Sequence, residues 1–109
     1  MQQDIYGLLL PDIDEAKDIM EDILGVKMEP HDSLYLGVYY ETKLPSGIRL
    51  SLRSNYNKFD EAWREDQHKD FPTLLYIDGE GNKSAVESKL PQSYFGVRLL
   101  KQKQQIISP

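Results

Sequence analysis

Two histidines are the strongest candidates for metal ligation in this chain of 109 residues, and their placement argues against a metal site. His31 and His68 are not spaced as a chelating pair on one helix or strand, and each lies in a predicted loop near an acid. An isolated histidine of this kind is more often structural or exposed than a ligand. The chain has no cysteine, which excludes thiol nucleophiles, disulfides and Cys-type zinc sites. We therefore predict neither a metal nor a cofactor.

The serines and the glycine-rich turn lack the surroundings that catalysis requires. Ser33, Ser46 and Ser51 lie in no G-x-S-x-G elbow. The turn at 78–81, DGEG, lacks the Walker pattern, and its two acids would repel a phosphate. The carboxylates cluster on a helix face and in a loop, where nothing marks one for a raised pKa. The sequence therefore predicts that the chain is not an enzyme.

Two clusters of acids remain. One is the polar side of the first predicted helix, which a solvated helix face explains. The other, NYNKFDEAWREDQHKDF at 55–71, interleaves acids with large aromatic side chains in a long connection, and such connections are functional or disordered. Aromatic residues argue against disorder and are typical interface anchors, while carboxylates steer a basic partner. Alternatively, Trp63 only packs the loop onto the sheet. The predicted partner-binding residues are Tyr56, Phe59, Asp60, Glu61, Trp63, Glu65, Asp66 and Asp70.

The elements that position these residues follow from hydrophobic period and turn signals. Asp12 is a predicted N-cap, an apolar stripe of period 3.6 follows it, and Gly25 closes the helix. The other segments alternate with a period of two, which is typical of strands. The predicted elements are a strand at Ile5–Leu10, this helix, strands at Leu34–Glu41, Ile48–Arg53 and Thr73–Ile77, a short helix at Ser84–Leu90, and a strand at Tyr94–Leu100.

This β-α-β-β-β-α-β order predicts an α+β fold, a mostly antiparallel sheet with two helices on one face. We expect a single domain over residues 1–109, with the tail 101–109 frayed. An apolar strand at the sheet edge could pair with a second copy, so we expect a monomer or a weak homodimer.

The net charge of −5 argues against binding to nucleic acid or to anionic membranes, and favours a basic protein partner. The N-terminus has no basic region and no apolar run long enough for a signal peptide, and no stretch could cross a membrane. We therefore expect a cytoplasmic protein.

The segments LGVKMEPHDSLYLGVYY, NYN, DFPTLLYIDG and VRLL are similar to those of small bacterial immunity proteins. Those proteins belong to polymorphic toxin systems, which include contact-dependent growth inhibition. The resemblance covers most of the chain through its hydrophobic pattern, aromatics and turns. It implies that the chain binds and neutralises the toxin domain of a cognate effector in the cytoplasm, and a basic nuclease would suit the acidic composition. An acidic and aromatic surface could imitate the phosphates and bases of a nucleic acid in a nuclease cleft.

A second resemblance concerns shape. The first strand, the helix IDEAKDIMEDILGVK and the following hairpin look like one βαβββ module of the glyoxalase/dioxygenase (vicinal oxygen chelate) superfamily. Such proteins generally pair two modules and place metal ligands on the strands, whereas the first strand here offers none. The alternative function is therefore that of a glyoxalase-like small-molecule binder or enzyme that acts as a dimer.

Overall fold

The computed structural model describes residues 2–33, 37–79, 83–90 and 98–104. Within these residues, six strands form one antiparallel sheet in the order β2-β3-β4-β7-β1-β8. A two-stranded hairpin, β5–β6, lies outside it. The elements in chain order are β1 (Gln2–Leu8), α1 (Ile13–Leu24), β2 (Glu29–Ser33), β3 (Gly37–Lys43), β4 (Ile48–Ser54), β5 (Tyr56–Asn57), β6 (Ala62–Trp63), a 3-10 turn (Asp66–His68), β7 (Thr73–Gly79), α2 (Lys83–Glu87) and β8 (Arg98–Gln104).

Helix α1 begins and ends where its caps predict. The carboxylate of Asp12 accepts a hydrogen bond from the backbone N–H of Asp14 at 2.9 Å, which satisfies one of the free donors of the first turn. Gly25 adopts the left-handed conformation at φ 67°, and its N–H bonds to Glu21, as a glycine C-cap does.

Helices α1 and α2 pack on the same side of the sheet, and α1 does so through its buried face. Ala16, Met20 and Leu24 of α1 are buried against sheet residues of one face. Val86 of α2 and the following Leu90 join the same cluster. The sheet supplies Tyr6, Leu8, Tyr40, Ile48, Leu50, Leu52, Leu75 and Ile77. This arrangement confirms the predicted α+β class with two helices on one face.

The acids of α1 are more than a solvated helix face. The hydroxyl of Tyr40 on β3 donates a hydrogen bond to the carboxylate of Asp14. Glu21 accepts a hydrogen bond from the backbone N–H of Met28 at 2.7 Å and lies 3.7 Å from the ammonium of Lys17. Asp14 and Glu21 therefore connect α1 to β3 and to the segment that follows the helix.

Residues 37–41 of the strand predicted at 34–41 belong to β3, whereas β2 before them was not predicted. Strand β2 pairs with β3 from Glu29↔Glu41 to Ser33↔Gly37, and residues 34–36 between them lie outside the described part. The sequence of β2, EPHDS, has no apolar alternation and is exposed at four of its five positions. An edge strand needs backbone partners on one side only, so this polar stretch pairs without a buried face. Its proline and charges also suit an edge that must not recruit further strands.

The end of the chain also differs from the prediction. Of the strand predicted at 94–100, residues 94–97 lie outside the described part, and β8 runs on to Gln104, opposite Gln2 of β1. Residues 101–104 of the predicted frayed tail are therefore part of the sheet. The remaining five residues are outside the described ranges.

The face of the sheet opposite the helices carries a second, smaller core. Ile5, Leu74 and Tyr76 are buried there. Phe71, at the end of the acidic and aromatic segment 55–71, packs over Gly7 on this face. This segment is the predicted partner-binding region.

Candidate partner-binding surface

Asn55 holds the segment 55–71 in place from inside the protein. Its side chain is fully buried. The amide nitrogen Nδ2 donates to the carbonyls of His68 at 2.9 Å and Phe71 at 2.8 Å. The amide oxygen Oδ1 accepts from the backbone N–H of Glu65 at 2.9 Å. One side chain therefore satisfies three buried or partly buried backbone groups between residues 65 and 71.

The backbone of Asn55 extends this anchorage. Its N–H bonds to the carbonyl of Pro72 at 2.8 Å, and its carbonyl accepts from the N–H of Arg64 at 2.8 Å. Sequence reasoning identified no role for Asn55. The only signal was the repeated asparagine of NYN, because its partners lie nine or more residues away along the chain.

Phe71 attaches the end of the segment to the sheet. Its side chain is buried and lies directly over Gly7 of β1, where an added Cβ atom would be 2.4 Å from the ring carbon Cγ. Glycine at position 7 therefore leaves the space that the ring of Phe71 fills.

The hairpin β5–β6 presents the segment's aromatic residues. Tyr56 and Trp63 face each other across the hairpin in an edge-to-face contact, with ring centroids 5.3 Å apart. Within the turn, the amide of Asn57 donates to the carboxylate of Asp60 at 3.0 Å and accepts from the N–H of Phe59 at 3.0 Å. The turn is therefore held by its own side chains, which limits the ordering that a binding partner would have to impose.

Most of the predicted partner-binding residues are on the surface. Phe59 is 60% exposed and Tyr56 is 40% exposed, while Trp63 is half-buried against Tyr56. Four of the predicted acids are exposed: Asp60, Glu61, Asp66 and Asp70.

Glu65 is the exception among the predicted contact residues, because it is only 8% exposed. Its N–H is bonded to the buried Asn55, which draws the residue toward the sheet. Its carboxylate lies close enough to Tyr76 to contribute to the raised pKa of that phenol, although burial is the main cause. Glu65 therefore offers little surface to a partner.

A groove of about 330 Å³ lies beside the hairpin. Tyr56 and Phe59 line one side, and Val38 and Asp32 of the β2–β3 hairpin contribute from another part of the chain. Val38 is 49% exposed although it is apolar. The ring of Phe59 lies against Gly37, where a Cβ atom would be 3.6 Å away. Sequence reasoning missed Val38 and Asp32, because register alone brings them beside a segment that begins more than fifteen residues later.

Glu61 has an unusual backbone conformation at the end of the turn. Its φ is 52°, in the left-handed region that disfavours a residue with a Cβ atom. Its exposed side chain is next to Asp60, so the tip of the hairpin presents two adjacent carboxylates. Lys58 is the positive charge of the same turn and also lines the groove.

Planar groups stack along the sheet face opposite the helices. The guanidinium of Arg53 lies over the ring of Tyr76 at 4.8 Å from its centroid and over that of Tyr39 at 5.6 Å. His31 on β2 stacks on Tyr39 with centroids 5.2 Å apart. Neighbouring Arg64 is partly buried, which lowers its pKa. This row packs the sheet face next to the segment.

Metal-binding residues do not converge in the described part of the chain. No group of three or more His, Asp or Glu side chains there is placed to hold a metal ion. Among the described residues, no helix has the length and apolar character to span a membrane.

Comparisons with protein-family models, with curated proteins and with solved structures found no match.

Proposed function

We propose that this chain binds a basic protein partner through Tyr56, Phe59 and Val38 and the carboxylates around them, and that the partner is a toxin domain. The observation that carries the proposal is the exposed apolar cluster formed by Tyr56 and Phe59 of the β5–β6 hairpin with Val38 of β3. The resemblance to immunity proteins is the basis for naming a toxin domain, and the surface itself supports only a basic protein partner.

The apolar cluster has the character of an interface centre. Among the described residues, only four large apolar side chains are exposed, and Tyr56, Phe59 and Val38 are three of them. Aromatic side chains that lose their water contacts at the centre of an interface supply most of the binding energy. Asn55 and Asn57 bond to the backbone of the segment 55–71 before any partner binds. Less conformational freedom is then lost on binding.

Among the described residues of the groove and the hairpin, carboxylates outnumber the single cation Lys58 around this cluster, which suits a basic partner. Asp32 lies in the groove, and Asp60 and Glu61 form the tip of the hairpin. The chain as a whole carries a charge of −5. Exposed charges of one sign raise the rate of encounter with an oppositely charged protein, and salt screens this attraction.

A growth assay tests the proposal. The proposal predicts a toxin gene beside this one, and co-expression of the chain with that toxin domain should restore growth. Phe59→Ala should abolish the rescue, whereas Leu9→Ala should preserve it, because Leu9 is 52% exposed but does not line the groove. Loss of rescue by both variants, or by neither, would contradict the proposed surface.

The association rate tests the electrostatic part. We expect a rate near about 10⁸ M⁻¹s⁻¹ at low salt that falls steeply with ionic strength. Replacing Asp60 and Glu61 with Asn and Gln should reduce this salt dependence. The same changes at Glu15 and Asp22 of α1 remove two other exposed charges, distant in sequence, and are the matched control. Equal effects of both pairs would show that net charge, and not this surface, steers the partner.

One observation favours the alternative of small-molecule binding. An apolar groove of about 370 Å³ lies on the helix side, and Leu24, Leu44, Leu50 and Val86 are among the residues that line it. A glyoxalase-like dimer should carry a metal or a tightly bound small molecule after purification. Elemental analysis and native mass spectrometry of the purified chain distinguish this function from toxin binding.

A further inference from the structure

The junction of β1 and α2 contains a cluster of ionisable side chains that partner binding does not use. Asp4 of β1 is only 2% exposed although it is a carboxylate. Tyr6, two residues along the same face of the strand, is also buried. Glu87 and Lys83 reach this position from α2, and the Lys83 ammonium lies 3.7 Å from Asp4 Oδ1. Burial of charged groups is unfavourable unless each has a partner.

The two carboxyl groups of the cluster require a proton between them. Asp4 and Glu87 are within hydrogen-bonding reach of each other, and the hydroxyl of Tyr6 also bonds to Glu87. Two ionised carboxylates cannot hydrogen-bond, because neither has a hydrogen to donate. Asp4 Oδ1 and Glu87 Oε1 are buried and find no hydrogen-bond donor in the described residues. A single proton on the pair supplies the missing donor.

Helix α2 is short and is attached to the domain by few buried side chains. The helix has only five residues, Lys83–Glu87, and none of them is fully buried. Its apolar contacts are those of the half-buried Val86 and of Leu90 just beyond its end. A helix this short has little stability of its own. Its contacts with the rest of the domain, which include the Lys83–Asp4 ion pair with β1, therefore hold it in place.

We propose that α2 is a proton-controlled latch, closed on β1 when Asp4 and Glu87 share a proton and loosened when both carboxyl groups are ionised. The groups that face Glu87 are Asp4 and Tyr6 on β1 and Lys83 on α2. In the register of the sheet, Ile77 of β7 and Gln102 of β8 are opposite Asp4, and neither is ionisable. Lys83 is thus the cation that opposes the repulsion between the carboxylates.

The direction of the effect follows from the pKa of Glu87. Burial, followed by the hydrogen bond and charge of Asp4, raises this pKa from 4.5 to about 7. An acid whose pKa is raised in the folded state stabilises that state fully below its ordinary pKa. This stabilisation is lost as the pH rises through the raised value. The latch is therefore closed in mild acid and loosens near neutrality, where its release uncovers the buried side chain of Leu90.

Hydrogen exchange measured by NMR tests the latch. The amides of Ser88, Lys89 and Leu90 bond within the α2 turn, so their protection reports its opening. After correction for intrinsic exchange, these amides give the equilibrium constant for opening of the turn, called here the opening constant. In the unmodified chain it should rise about tenfold or more between about pH 5.5 and pH 8. The amide of Gly25, which closes α1, should not follow this change.

Glu87→Gln keeps the shape of the side chain and removes its titration. Its opening constant should change less than about twofold over the same range. Asp4→Asn should also reduce the pH dependence and provides the comparison if Glu87→Gln does not fold. Glu15→Gln, at an exposed position of α1, should behave like the unmodified chain. A pH-independent opening in the unmodified chain, or an unchanged pH dependence in both cluster variants, would overturn the latch.

Discussion

Replacing Asn55 with alanine tests how the partner-binding segment is held. The change removes three side-chain hydrogen bonds of 2.8 to 2.9 Å from a fully buried position. Each such bond contributes about 1 kcal/mol net, and buried backbone groups left without a partner add to the loss. We therefore expect Asn55→Ala to lower the free energy of unfolding by about 2–4 kcal/mol. This is a large share of the roughly 5–15 kcal/mol typical of a small domain.

Urea unfolding measured with two probes is the appropriate assay. Trp63 is the single tryptophan and lies within the segment, so its fluorescence reports the segment, while far-UV circular dichroism reports the whole sheet. The fluorescence transition should move to a lower urea concentration at least as far as the dichroism transition. Asn57→Ala is the matched control, because the side-chain bonds of Asn57 described above stay within residues 57–60. The argument is refuted if Asn55→Ala costs under about 1 kcal/mol, or no more than Asn57→Ala.

Three further predictions concern packing, backbone conformation and pH. Gly7→Ala places a Cβ atom 2.4 Å from the Phe71 ring and should lower the stability by about 1–3 kcal/mol, as thermal melting will show; an unchanged melting temperature would mean that Phe71 does not pack there. Glu61→Asn should stabilise the chain by about 0.5–1 kcal/mol in urea unfolding, because asparagine tolerates the left-handed conformation; Glu61→Gln is the control and should not stabilise it. Glu87→Gln should be more stable than the unmodified chain at about pH 8 and similar to it at about pH 5, and a constant difference in urea unfolding across this range would argue against titration of Glu87.

Local signals in the sequence predicted the first helix and the inner strands well. Asp12 and Gly25 mark the ends of α1 because capping acts through residues near them in sequence. Leu50 and Leu52 are buried between an exposed Arg49 and a partly exposed Arg53 because their face of β4 meets the helices. The same reasoning missed β2, since pairing at a polar edge leaves no hydrophobic period.

The remaining differences arise from contacts between distant parts of the chain. Glu65 was predicted to contact a partner, but the N–H bond to Asn55 turns it inward. Val38 and Asp32 are opposite each other in the β2–β3 pair and line the groove beside Tyr56 and Phe59. No carboxylate was predicted to have a raised pKa, yet Glu87 meets Asp4 from the far end of the chain. Sequence spacing does not reveal which of the many acids becomes buried beside another.

The binding affinity of Phe59→Ala for the proposed toxin partner, compared with that of Leu9→Ala, tests the central claim most directly. Both variants shorten an exposed apolar side chain, and only Phe59 lines the groove. We expect Phe59→Ala to raise the dissociation constant about 30-fold or more, which corresponds to a loss of about 2 kcal/mol at an interface centre. Leu9→Ala should stay within about threefold of the unmodified chain. An unchanged affinity for Phe59→Ala, or equal losses for both variants, would contradict the account.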